Sequence, residues 1–200
     1  MFPLVVSHYT FNTNYEKIIE NLKASLENLG LDYYIEGINT LGSWRENSNY
    51  CAQLVSDCLY KFPDRDILRV DADAIFRVLP SLFVDEHFDA DIAACVYDFS
   101  YRQNELLGGT IFFRNSSDVR EFVKEWAMVS CAVRKAERNG DLLQELLSRY
   151  EGSINFTALP PSYCKIFDRM EDAGDPVIEH FQASRVNRRL VNSMGRKNVE

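Results

Sequence analysis

The sequence predicts one α/β domain built on a mostly parallel sheet with helices on its faces. Three observations carry this. Apolar, β-branched runs alternate with segments of helical period from the first residues onward, the pattern of successive βαβ units. Turn and cap residues punctuate the alternation, and no internal repeat or low-complexity stretch interrupts it. The chain has 200 residues, 46% hydrophobic and 26% charged, which suits a single globular domain with a substantial core.

Residues 3–9 read as the first strand. Asn14 is placed to cap a helix over 15–29, with Ile18, Ile19, Leu22, Leu26 and Leu29 on one face and Gly30 as terminator. Residues 31–38 form a second strand, parallel to the first because a helix connects them. The polar stretch 39–49 reads as a loop, and 50–62 as a helix with Leu54, Val55, Cys58 and Leu59 inward. Residues 67–76 are then a third, buried strand. A short helical segment over 79–84 and a strand over 91–97 follow. After a polar loop at 99–105, residues 106–113 form a strand whose paired Gly108 and Gly109 mark close backbone approach or a bulge. A long helix spans 117–138, with Val129 and Val133 among its inward residues. Asp141 caps a helix over 142–150, and 154–159 and 176–181 are the last strands. The domain is expected to run over 1–190, with 191–200 a polar C-terminal tail.

The totals limit function. A net charge of −8 argues against broad nucleic-acid binding, although Arg185, Arg188, Arg189, Arg196 and Lys197 gather near the end. No apolar run reaches membrane-spanning length. Residues 1–6 are apolar but lack a charged leader, so a cytoplasmic protein is expected. Cys51, Cys58, Cys95, Cys131 and Cys164 are scattered and odd in number, which suits free thiols in a reducing compartment. The two glycosylation sequons, at Asn115 and Asn155, carry no weight without a secretory signal.

The chemistry centres on Asp71-Ala72-Asp73. In an extended strand the two carboxylates share a face, and at the C-terminal mouth of a sheet they stand where α/β folds bind ligands. Carboxylates that close repel each other, and a hard divalent cation relieves the repulsion. The plainer alternative is an acidic strand end that caps the next helix.

With this acid pair after a βαβα lead-in, Leu107-Gly108-Gly109-Thr110-Ile111-Phe112-Phe113 and a late His180, the chain resembles the GT-A fold of nucleotide-sugar glycosyltransferases, glycogenin-like and galactosyltransferase-like families included. The resemblance implies that Asp71, Asp73 and His180 hold Mn²⁺ or Mg²⁺ and that the donor is a UDP-sugar. It implies that Ser7, Tyr9 and Thr10 meet the base and ribose, with Trp44 and Arg45 leaning on the same nucleotide. Gly109 allows close approach, and Gln182, Ser184 and Arg185 face the leaving phosphates. Asp141, Asp98 and Glu105 are the catalytic candidates, and the histidine ligand favours a retaining reaction. For Asp141, a plain N-cap is the competing reading. A phage setting, with transfer in the host cytoplasm, falls within the resemblance. The acceptor is then a glycan, a protein or modified-base DNA, recognised by the loops at 99–105 and 162–175 or by the basic tail; the sequence leaves the oligomeric state open. Three alternatives stand beside it: a haloacid dehalogenase-type phosphohydrolase using Asp71 and Asp73, a polymerase-type nucleotidyltransferase, and a non-catalytic nucleotide-sugar binder. The first usually carries Asp-x-Asp on its first strand, and the second wants Gly-Ser ahead of the acids; neither feature is present.

Overall fold

A computed structural model describes residues 1–132 and 139–183, with Asn139 described for its backbone alone. Leu4–Thr10 (β1) lies between Tyr33–Ile38 (β2) and Ile67–Val70 (β3), parallel to both. Tyr15–Asn28 (α1) and Trp44–Lys61 (α2) make the connections. Ala74–Phe76 (β4) leaves this sheet for a second one. Ile92–Phe99 (β5) and Arg102–Phe113 (β6) form an antiparallel pair, and β6 also runs antiparallel to β3. Phe156–Leu159 (β7) closes a six-stranded sheet of order β2-β1-β3-β6-β5-β7, parallel to β5.

Strand alternation divides the core between the two faces. Leu4, Val6 and Ile67 pack with α2, Ser117–Ala132 (α3) and Asn139–Arg149 (α4). Val5, Leu68 and Val70 pack with Ile19, Leu22 and Leu26 of α1 and with the smaller sheet. That sheet has the order β4, Ile178–His180 (β9), Lys165–Ile166 (β8). No helix among the described residues is long and apolar enough to cross a membrane. Of the five cysteines, all free, only Cys131 is exposed.

Several boundaries differ from the sequence reading for identifiable reasons. α2 begins at Trp44 rather than at residue 50 because Ser43 and Glu46 form a capping box: the Ser43 hydroxyl accepts from the Glu46 N–H at 3.2 Å, and the Glu46 carboxylate accepts from the Ser43 N–H at 2.8 Å. At α1, Asn14 has helical backbone and no side-chain cap; the Thr13 hydroxyl accepts from the Tyr15 N–H instead. α4 starts at Asn139, so Asp141 sits inside its first turn rather than at its cap. The polar stretch 99–105 is mostly strand: Phe99 pairs with Arg102 across a hairpin tip of Ser100 and Tyr101. Its polar residues face solvent on an antiparallel ribbon, which removes the apolar alternation that marks a strand. β8 has two residues, too few to show a period. Val129 is half-buried, and Val133 with the remainder of the expected helix lies outside the described residues, as does the 191–200 tail.

Candidate active site and metal centre

β3 stops at Val70, and Asp71-Ala72-Asp73 is a turn between two sheets rather than the end of one strand. The Asp71 N–H donates to the Gly109 carbonyl at 2.9 Å, and the Ala74 N–H donates back to the Asp71 carbonyl at 3.0 Å. What joins the acids to the histidine is the β4–β9 register, which sets His180 opposite Ala74, next to Asp73. Ligand atoms of Asp71, Asp73 and His180 consequently lie within 4.8 Å of one another.

The buried polar atoms of this group are aimed at a common point. Asp73 is 9% exposed and His180 1%. The Ala183 N–H donates to Asp73 Oδ2 at 2.7 Å, and His180 Nε2 lies 2.8 Å from the Thr110 hydroxyl. Asp73 Oδ1 and His180 Nδ1 are left facing each other at 3.9 Å, within ion-pair range but too far for a hydrogen bond, and neither atom makes a hydrogen bond elsewhere. Buried polar atoms left this way are costly unless something binds them. Two carboxylates and one imidazole form a donor set suited to a divalent ion, and the residues present fit one. Burial works against charge on both groups. Even so, His180 and the Ala183 N–H hold the Asp73 carboxyl below the usual range, and Cys164 and Asp73 raise the His180 imidazole to about 10. A divalent ion would displace that proton. Gly109 lets β6 pack closely here: a Cβ would sit 3.0 Å from His180 Cε1 and 3.2 Å from Cys164 Sγ, crowding both side chains.

Asp71 is half-buried and receives the guanidinium of Arg69 at 2.6 Å. Arg69 also donates to the Gly108 carbonyl, tying the acid turn to β6 where Gly108 and Gly109 bulge out of register with β5. Sequence reasoning passed over this residue. A lone arginine inside an apolar strand two positions before the acids was its one signal.

The acids form the floor of a cleft of about 700 Å³. On the β1 side it is lined by Tyr9, Thr10, Trp44 and Arg45, the last two in the first turn of α2 rather than in a loop. His8, missed by the sequence reading, also lines it; its Nε2 lies 2.8 Å from the Asn47 carbonyl, and burial, helped by Arg69, lowers its pKa to about 4. On the β6 side stand Glu105, Gly109 and Asp141, joined by Gln182, whose φ is 52°. Asp141 accepts from Arg102 at 2.5 Å, and Arg102 lies 4.0 Å from Glu105. Close packing of α4 on β6 fixes Asp141: a Cβ on Gly140 would meet the Leu106 carbonyl at 2.7 Å.

Two expected residues are elsewhere. Ser7 is fully buried away from the cleft, its hydroxyl unpartnered. Asp98 is exposed outside the cleft, accepting from the Asn104 N–H at 2.7 Å where β6 bulges. Ser184 and Arg185 lie outside the described residues.

No protein-family model and no curated protein matches this chain. Solved structures do. A glycosyltransferase involved in the glycosylation of the major capsid of PBCV-1 superposes with a TM-score of 0.72 at 14% identity, over 90% of this chain and 93% of that one. The apo form of the glycosyltransferase GlyE from Streptococcus pneumoniae TIGR4 gives 0.56 at 16% identity, over 90% of this chain and 54% of GlyE, so the chain spans about half that protein's length. At such identities the likeness is one of fold. With its mixed six-stranded sheet, flanking helices and acid turn after the third strand, the chain has the GT-A glycosyltransferase fold.

Proposed function

We propose that the chain is a metal-dependent glycosyltransferase that moves a sugar from a nucleoside-diphosphate donor, a UDP-sugar in particular, to an acceptor hydroxyl. The observation that carries this reading is the buried facing of Asp73 Oδ1 and His180 Nδ1, with no hydrogen bond between them, beside Asp71 at the floor of a cleft in a GT-A fold. Mn²⁺ or Mg²⁺ held by these three residues would supply positive charge for the diphosphate leaving group.

The chain's own residues divide the remaining work. Tyr9, Thr10, Trp44 and Arg45 bind the nucleoside on the β1 side. Arg69 positions Asp71 and adds fixed positive charge at the cleft floor, where a diphosphate gathers negative charge. Gln182 adds a polar group beside His180. On the β6 side, Glu105 and Asp141 face the sugar and acceptor. Asp141 is already bonded to Arg102, which leaves Glu105 and the departing phosphate as proton acceptors; the histidine in the metal set favours the phosphate and retention. Asp98, outside the cleft, takes no part.

A thermal-shift screen of nucleoside diphosphates and their sugars, with and without Mn²⁺, tests this. The expected result is a rise in midpoint that needs both metal and a uridine nucleotide, followed by donor turnover that Asp73→Asn removes. Metal-independent release of phosphate from phosphomonoesters, with no nucleotide effect, would contradict it.

A further inference from the structure

The end of the cleft that the nucleotide leaves free is walled by one exposed ring, Tyr101, stacked on the buried Phe99. Tyr101 occupies the tip of the β5–β6 hairpin and is 61% exposed, although it is among the largest apolar rings of the chain. Its ring lies nearly parallel to that of Phe99, 13° apart with centroids at 5.2 Å. Arg169 donates to the Tyr101 hydroxyl at 3.0 Å, and its guanidinium carbon lies 5.8 Å from the ring centroid. Phe99, Tyr101 and Arg169 all line the cleft.

We propose that the exposed ring of Tyr101, held flat by the buried Phe99 beneath it, is an acceptor platform on which a neutral sugar ring stacks, so that the acceptor is a carbohydrate. The proposal rests on the glycosyltransferase reading. Three features carry it. First, position: in the sheet order, β1 lies on one side of β3 and the β6–β5 hairpin on the other. The nucleoside-side residues and the aromatic stack therefore flank the acid turn, and an acceptor must approach from the side the nucleotide does not fill. Second, chemistry: a pyranose ring offers one flat face of C–H groups and a rim of hydroxyls. A flat aromatic surface bordered by Arg169, Glu105 and Asp141 matches both, with charged partners at the edge and an apolar plane between. Third, charge: the chain carries a net charge of −8, which disfavours a phosphodiester backbone and hence a nucleic acid as the stacked partner. The stabilising return from burying Tyr101 is small at its exposure, so its place at the mouth of the cleft is explained by what docks there.

Saturation-transfer NMR on the full chain with Mn²⁺ and UDP tests the platform. The probes are neutral oligosaccharides of glucose, galactose, mannose and N-acetylglucosamine, with a short oligothymidylate as the second arm. The expected result is saturation of ring C–H protons in at least one sugar. Tyr101→Ala should weaken this binding about tenfold or more, while Tyr101→Phe, which keeps the ring and drops the bond to Arg169, largely restores it. An unchanged unfolding midpoint of Tyr101→Ala confirms that the hairpin tip is not holding the fold. Sugar binding that Tyr101→Ala leaves intact, no binding across the panel, or Tyr101-dependent binding of the oligothymidylate alone would each overturn the proposal. Wild-type hydrolysis of UDP-sugars in the same samples separates the two readings. Hydrolysis without sugar binding removes only the platform. Tyr101-dependent sugar binding without donor turnover leaves the platform standing and removes the transferase reading.

Discussion

On the β1 side of the cleft, Tyr9 and Thr10 come from β1 and Trp44 from α2 of the same βαβα lead-in, each placed by the strand or helix that carries it. On the β6 side the groups are assembled from distant parts of the chain. Thr110 meets His180 across 70 positions, and the Ala183 N–H reaches Asp73 across 110. The first wall is local architecture with open, solvated side chains such as Trp44. The second is a buried polar cluster whose geometry exists only when two sheets, a glycine bulge and β9 are all in register. The contrast teaches where function is fragile: small changes on the β6 side should cost far more than comparable ones on the β1 side.

The largest effect is expected at the acids. Asp73→Asn should lower metal-dependent transfer roughly 10²-fold or more, measured as initial rate against Mn²⁺ concentration. In metal-free protein the same change removes the carboxylate that faces a buried imidazolium, and breaking such a pair costs about 3–5 kcal/mol in denaturant unfolding. Gly109→Ala comes next. Its methyl would press on His180 and Cys164, so Mn²⁺ affinity by calorimetry should fall on the order of tenfold, with about 1–3 kcal/mol lost in stability. Arg69→Lys keeps the charge but cannot bridge Asp71 and Gly108 together, and a fall in transfer of about tenfold is expected, seen in kcat rather than in nucleotide affinity.

Smaller effects belong to the β1 side. His8 titrates near 4 when folded and near 6.5 when unfolded. Between these values the unfolded chain binds the extra proton, so stability is full above about pH 6.5 and is lost as pH falls towards 4. The loss is on the order of 2 kcal/mol, allowing for solvent reaching the half-buried ring, and His8→Asn should flatten that part of the pH profile. Trp44→Ala, at an exposed rim position, should raise the Kd for the nucleotide only about tenfold or less.

The same contrast explains what could be read from residues alone. The lead-in strands and helices declare themselves through local periodicity, and the paired acids stand out by their chemistry, as does the late histidine in its short apolar strand. Their juxtaposition followed a different route from the one expected, by a turn and an inter-sheet register rather than by alternation along one strand. Long-range pairing of short strands leaves no periodic trace, so β8, the Thr110–His180 contact and the Asp141–Arg102 pair were illegible. Asp98 and Ser7 failed for a related reason: chemistry assigns a residue type, but only the bulge at Asn104 and the inward face of β1 decide where those side chains point. The early start of α2 was legible in Ser43-x-x-Glu46 and was overlooked in a polar stretch.

The central claim is that Asp71, Asp73 and His180 hold a divalent ion for a nucleoside diphosphate. Calorimetric titration of UDP into the protein, with Mn²⁺ and again with a chelator, tests it most directly. The account predicts binding that requires Mn²⁺ and disappears in Asp73→Asn. Equal binding under chelation, or wild-type binding by Asp73→Asn, would contradict it.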